Sequence, residues 1–325
     1  MKKILTILFI VALTAAMAVG LVACNRGDGS SDAATVKYYA DGAAVQAAFA
    51  AGAVDYAVVA EPAATAFSAK FGYHVVMDLQ KEYIAATGRQ SGYPMASTFV
   101  KGELASDADF VSGLLAELNG NITYISEHAS EMTVLLAEAG STSAFPPASV
   151  ARCNIGVYGV AEAKDDVNYM LKDMLGKDMP DSLYYDADAA ETGKEGDGRT
   201  LQLYVPDGAP ALAVAVMIAE ETYINGYKIN VNIVQANEIA SKMAQGSGDI
   251  VIMPTNAGAN LIVNKNAGYK FVCTNTKGML YVLGKNEGTL KPADLKGKTV
   301  GCIGQGAVPQ YAFEKALTSA GVAIK

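Results

Sequence analysis

Phe49-Ala-Ala-Gly52-Ala-Val-Asp55-Tyr-Ala-Val-Val-Ala60-Glu61-Pro62 and Met243-Ala-Gln-Gly246-Ser-Gly-Asp249-Ile-Val-Ile-Met253-Pro254 follow one plan. Each stops a helix on glycine, the residue that takes a left-handed cap at least cost. Three residues later each opens an apolar run on aspartate. Each run then enters another helix through a proline-containing joint, and a Gly-Tyr pair (Gly72-Tyr73, Gly268-Tyr269) starts the next strand. One such unit is ordinary punctuation; two in matching contexts predict two similar lobes.

Outward from these units, short apolar strands alternate with helical stretches, the pattern of an α/β protein with covered, largely parallel sheets. Strands are expected at 36–39, 55–59, 75–78, 201–205, 228–234, 249–253, 269–274 and 299–303. Helices are expected at 43–51, 63–70, 162–175, 210–221, 237–245, 256–264 and 309–320, with two successive helices over 107–139. Residues 185–200 are polar and glycine-rich, with no periodic apolar face, and read as a flexible linker.

The start of the chain sets the expected compartment. Lys2 and Lys3 precede an apolar run, Ile4 to Val22, that closes on Leu21-Val22-Ala23-Cys24. A charged start, an apolar stretch and small residues at its end make a secretory signal. The closing residues resemble a bacterial lipobox, which would make Cys24 the lipid attachment site and 25–34 a polar tether. A plain membrane anchor is the alternative, since the run is nearly long enough to span.

The net charge of −8 lacks the basic face that phosphate binding needs and excludes nucleic acid as the expected partner. Cys153, Cys273 and Cys302 remain after the lipidated residue, an odd number that reads as buried free thiols rather than a disulfide or metal site. Neither His74 nor His128 belongs to a zinc-helix motif, and the sequence has no serine elbow or P-loop. No cofactor, metal or catalytic residue is expected. The turn Gly301-Cys302-Ile303-Gly304-Gln305-Gly306 departs from a dinucleotide fingerprint, because Val308-Pro309 stands where the third glycine belongs.

Four strand-to-helix joints share one chemistry: Pro206-Asp207-Gly208-Ala209-Pro210, Met253-Pro254-Thr255-Asn256-Ala257, Gly304-Gln305-Gly306-Ala307-Val308-Pro309 and Ala60-Glu61-Pro62-Ala63. In open parallel sheets ligands bind beyond the carboxyl ends of the strands. There the first backbone N–H groups of each helix are free to donate. Each joint alone could be no more than a good helix start; four on two similar lobes predict a shared cleft.

With these joints, Gly248 to Ala257, Leu280-Tyr-Val-Leu-Gly284, Ala293 to Gly301 and Gly52 to Pro62, the sequence resembles the substrate-binding proteins of ABC transporters. Within them it is most similar to the nitrate/sulfonate/taurine and thiamine-precursor group. The resemblance implies a two-lobed, type II periplasmic-binding-protein-like fold that closes on a hinge around one small ligand. It places Asp207, Gly208, Ala209, Pro210, Thr255, Asn256 and Met279 on one side of the cleft. Gln305, Gly306, Ala307 and Glu61 would stand on the other, with Tyr93 near the hinge. It further implies an importer permease as partner, a membrane contact through the lipid anchor, a monomer, and an extracytoplasmic, lipid-anchored location.

One departure is large. In that family the segment like 201–325 comes first and the segment like 36–185 follows, so the chain reads as circularly permuted, with 185–200 joining the ancestral ends. The expected organisation is a signal (1–24), a tether (25–34), lobe 2 (35–92 plus 293–325) and lobe 1 (93–184 plus 201–292). The cleft offers no obvious arginine, whereas Asp207 and Glu61 are acidic, which favours an aminopyrimidine-like ligand over a sulfonate or nitrate. Two other functions fit the same bilobal scaffold: a ligand-sensing lipoprotein, and an enzyme such as a lyase or pyrimidine-precursor synthase.

Overall fold

The computed structural model describes residues 32–325. The signal-like run, Cys24 and most of the expected tether lie outside the described residues. In chain order the elements are β1 (Ala33–Tyr39), α1 (Gly42–Ala50), β2 (Tyr56–Ala60), α2 (Ala63–Phe71), β3 (His74–Asp78) and α3 (Leu79–Thr87). Then come β4 (Pro94–Lys101), α4 (Gly102–Ala105), α5 (Ala108–Glu127), α6 (Met132–Glu138), α7 (Pro147–Arg152), β5 (Ile155–Gly159) and α8 (Val160–Leu175). The last part holds β6 (Thr200–Pro206), α9 (Ala215–Ala219), β7 (Tyr223–Ile224), β8 (Tyr227–Val234), α10 (Ile239–Ala244), β9 (Ile250–Pro254), α11 (Thr255–Lys265), β10 (Tyr269–Lys277), β11 (Leu280–Gly284), β12 (Thr299–Ile303), α12 (Val308–Ser319) and β13 (Ala323–Ile324).

These strands form two sheets, ordered β13-β1-β12-β2-β11-β3 and β5-β10-β4-β9-β6-β8-β7. The sheets repeat one scheme. In the first, β1, β12 and β2 are parallel neighbours and β11 runs antiparallel beside β2. In the second, β8, β6 and β9 are parallel neighbours and β4 runs antiparallel beside β9. The antiparallel strand in each case, β11 or β4, is the first strand after the chain crosses from the other sheet. The two glycine–aspartate units of the sequence enter β2 and β9, the equivalent third strands of the two lobes.

The crossing from the second sheet to the first falls between β10 and β11, not at residue 292 as expected, because Gly278 and Met279 both take positive φ (71° and 79°) and turn the chain. Only glycine fits at 278: a Cβ there would fall 1.3 Å from the Gln80 side-chain oxygen. The other crossing, between α3 and β4, lies alongside, and the Gly278 N–H donates to the Tyr93 carbonyl at 3.0 Å.

Three further expectations are corrected. The tether does not reach 34, because Ala33 and Ala34 already pair with Ala323 and Ile324 of β13. The helix expected over 210–221 is broken into a tight 3-10 turn (Ala209–Val214) followed by α9. The cause is Asn121, buried on α5: its amide donates to the Leu212 carbonyl at 2.7 Å and its oxygen accepts the Val216 N–H at 2.9 Å. Those are the two backbone groups that would have bonded each other in a continuous α-helix.

The segment 185–200 is no free linker either. The Glu191 N–H donates to the Ser106 carbonyl (2.9 Å), the Ala108 N–H donates to Glu191 (2.8 Å), and the Gly193 N–H donates to the Asp109 carboxylate (2.6 Å). Asn225 then fastens it by donating to the Lys194 carbonyl and to the Asp107 carboxylate. Polar composition here supplies bonds to lobe 1 instead of freedom. Cys153, Cys273 and Cys302 are free and buried. Among the described residues no helix is long and apolar enough to cross a membrane.

Candidate ligand-binding cleft

Where the lobes meet, a cavity of about 560 Å³ is lined by Gly42, Glu61, Pro62, Phe67 and Ile303 on one side and Ser143, Ala144 and Gly208 on the other. It lies beyond the carboxyl ends of β2 and β12, where the chain turns from strand to helix. Its closest ionic feature spans the lobes. Glu61 is 2 % exposed, and its carboxylate receives Arg152 Nε from α7 at 2.8 Å. The Thr65 N–H and hydroxyl donate to the same carboxylate at 3.0 and 2.9 Å. Arg152 also lies over the Tyr281 ring, 4.3 Å from its centroid, in a cation–π contact. Burial raises the Glu61 pKa, although the Thr65 and Arg152 contacts pull the other way.

Asp207 is engaged differently. Its carboxylate accepts Ser141 Oγ (2.5 Å), Thr142 Oγ1 (2.6 Å), the Thr142 N–H (2.9 Å) and the Gly208 N–H (2.8 Å). Burial opposes its charge, but these donors outweigh burial and hold its pKa below the usual carboxylate value. Asp207 therefore braces the loop that carries Ser143 and Ala144 to the cavity, while Gly208 (φ 110°) forms part of the wall. Ala209 is buried and Pro210 begins the 3-10 turn behind it.

The other joints divide. Asn256 heads α11, and its amide donates across the lobes to the Gly306 carbonyl at 3.4 Å. The Gly306 N–H is taken by Gln310 (2.7 Å), Gln305 is exposed, and Ala307 caps α12. Thr255 is fully buried and bonds Ser97 Oγ at 2.8 Å inside lobe 1. Met279 packs in the lobe 1 core, and its carbonyl accepts the Glu61 N–H at 3.0 Å. Tyr93 is fully buried at the crossing, edge-on to Tyr83 with ring centroids 5.1 Å apart. The structure thus brings Glu61 and Gly208 to one cavity and Asn256 and Gly306 to one contact. Thr255, Met279 and Tyr93 serve the frame around them.

Among the described residues no arginine lines the cavity, as expected, but Arg152 stands behind it as the partner of Glu61. It was legible in one respect: it is the sole Lys or Arg between Lys101 and Lys164. Nothing in the residue pattern told that α7 would deliver it to the opposite lobe. Away from the cavity, Lys315 of α12 pairs with Asp173 of α8 at 2.7 Å, and Tyr311 Oη donates to the same carboxylate at 3.3 Å. The lobes are therefore bridged at a second place besides Glu61 and Arg152.

No protein-family model matches the sequence, and no curated protein matches it. Among solved structures the chain is similar to NikA from Brucella suis, solved with Fe(III)-EDTA, at 12% identity and a TM-score of 0.31, covering 80% of this chain and 60% of that one. It is also similar to the oligopeptide-binding protein AppA from Bacillus subtilis, solved with a nonapeptide, at 12% identity and a TM-score of 0.31, covering 79% and 57%. A third is the periplasmic binding protein DppA from Helicobacter pylori, solved with the peptide STSA, at 9% identity and a TM-score of 0.29, covering 75% and 51%. The chain spans half to three fifths of the length of these proteins. The paired sheets, their shared strand scheme and their two adjacent crossings define a two-lobed α/β fold.

Proposed function

We propose that this chain is an extracytoplasmic solute-binding protein, lipid-anchored at Cys24, that captures a small molecule between its lobes and presents it to an ABC importer. The observation that carries this reading is the cavity built jointly by both lobes and bridged across its edge by Glu61 and Arg152. Two rigid sheets joined by two adjacent crossings make a hinge, and a ligand touching both lobes shifts the open–closed equilibrium toward closure. The protein's own groups do no chemistry in this scheme. Both carboxylates near the cavity are committed to structural partners, Glu61 to Thr65 and Arg152 and Asp207 to Ser141, Thr142 and Gly208.

A thermal-shift screen against a broad metabolite panel tests the reading. A compound that binds only the folded state adds about 2.7 kcal/mol at a hundredfold excess over its dissociation constant. The expected result is a clear rise in melting temperature with one chemical class and recovery of that compound unchanged. Turnover of the bound compound would instead make the protein an enzyme, and a cooperative melt that no compound moves would remove the binding role.

The element order belongs to the same reading as a circular permutation, with 185–200 joining what are ends in the family. Supporting it, β13 and β1 lie side by side and parallel, with Lys325 bonded to both Ala34 and Val36. A chain opened within 185–200 and joined from 325 to 33 by a short glycine linker is expected to melt as cooperatively as this one. Loss of cooperative melting in the reordered chain would count against the permutation.

A further inference from the structure

Resting on that solute-binding reading, we infer that the cleft takes a ligand with a flat apolar body and one anionic group, the chemistry of a small aromatic carboxylate. Size comes first. A cavity of about 560 Å³ far exceeds what an ion such as nitrate fills, and it falls within the roughly 300–1,000 Å³ typical of sites for drug-sized ligands.

The walls come second. Ala43, Ala63, Ala66, Phe67, Phe71 and Ile303 present methyl groups and rings to the space. The rings of Phe67 and Phe71 lie 6.1 Å apart and tilted, and Phe71, a large apolar side chain, is 40 % exposed. Aromatic faces of this kind favour a flat ring, with edge-to-face or offset contacts. A compact oxyanion would fill little of this space and would leave its apolar wall uncovered.

Charge comes third. An amine would need a carboxylate to spare, and none is offered. Glu61 is held by Arg152 and Thr65, Asp207 by four donors, and Asp41 turns its oxygen onto the Ala44 N–H of its own helix. The one cation lining the space, Lys70, pairs with no carboxylate among the described residues and lies 5.2 Å from the Phe71 ring centroid. A ring settled on Phe67 and Phe71 would put its acidic group beside Lys70 at the mouth.

Calorimetric titration with matched skeletons tests this. The probes are 3-phenylpropionate, phenethylamine and 3-phenylpropanol, with nitrate and taurine as compact comparators, on wild-type protein and Lys70→Gln. The carboxylate is expected to bind best. Lys70→Gln should weaken it by about two- to fivefold, the size of a solvent-exposed ion pair, and leave the alcohol unchanged. Tighter binding of the amine, of nitrate or of taurine would overturn the inference while leaving the solute-binding role intact. So would a carboxylate preference that survives Lys70→Gln, or silence from all three aromatics when the metabolite panel yields another ligand. Silence from both panels would remove the binding role itself.

Discussion

Arg152→Ala is expected to destabilise the protein by about 2–3 kcal/mol near neutral pH, and the deficit is expected to shrink on acidification. Breaking a buried ion pair by removing one partner costs about 3–5 kcal/mol, because the remaining charge is left in low dielectric without compensation. Glu61 is that remaining charge, and its carboxylate side chain has no exposure. Arg152 is itself about a third exposed, at 36%, so water repays part of the loss and the smaller figure applies. The pH dependence follows from the direction of the Glu61 shift. Burial has already raised its folded pKa above the unfolded value of 4.5. A raised carboxyl binds its proton more tightly in the folded state, so stability falls as pH climbs through the window above 4.5. Losing Arg152 removes a group that favours the charged form and lifts the folded pKa further. The groups around Glu61 are Arg152 and Cys153 from α7 and Tyr281 from β11, and burial keeps the thiol and phenol neutral throughout this range. Denaturant titrations at about pH 5 and pH 8 should therefore show the variant closer to wild type at the lower value. Glu61→Gln in the Arg152→Ala background should restore most of the loss at pH 8. An equal deficit at both pH values, with no recovery in the double variant, would show that Arg152 acts by packing on Tyr281 and not by its charge.

The ion pair also shows what the sequence could and could not tell. Strands with unbroken apolar runs, such as Val58-Val59 and Ile250-Val251-Ile252, announced themselves, because strands buried on both faces lose the polar alternation. β4 was not legible as a strand. Its centre, Ser97-Thr98, is polar yet fully buried, and its hydroxyls bond Thr255, Thr274 and Asn275 inside lobe 1. β11 was seen as a motif but assigned to the wrong lobe, since the turn that moves it is made by Gly278 and Met279 and only one of these advertises positive φ. In the cleft, glycine and proline marked the joints correctly, while the partners of their charged neighbours were invisible. Asp207 and Glu61 read as ligand contacts because acids at helix starts are common to both roles. Their commitment to Ser141, Thr142 and Arg152 depends on long-range packing that no local pattern records.

The largest loss is expected at Asp166, which ties both crossings together. From α8 its carboxylate accepts Arg89 and Ser91 of the first crossing and, at 3.2 Å, the ammonium of Lys277 at the end of β10. Lys277 also donates to Ser91 at 3.0 Å, and its side chain is only 7% exposed. Asp166→Ala would leave two cations facing each other with no counter-charge, at a cost of about 3–5 kcal/mol. The acid limb should change as well. Burial opposes the Asp166 charge, but the bonds from Ser91, Arg89 and Lys277 outweigh it and depress the folded pKa below 3.8. A depressed carboxyl contributes stability above its unfolded pKa and loses it as pH falls through the folded one. The deficit of Asp166→Asn should accordingly be full at neutral pH and fade as pH falls below 3.8. Position gives the cluster a second consequence. Because α8 belongs to lobe 1 while Arg89 and Ser91 follow directly from lobe 2, the cluster transmits the stability of one lobe to the other. Without it, denaturant unfolding should separate into two transitions, where wild type shows one. A single transition, displaced by less than about 1 kcal/mol, would mean that the lobes are coupled through their apolar interface instead, with Phe313 and Leu317 of α12 in the same core as Met170 and Leu171 of α8.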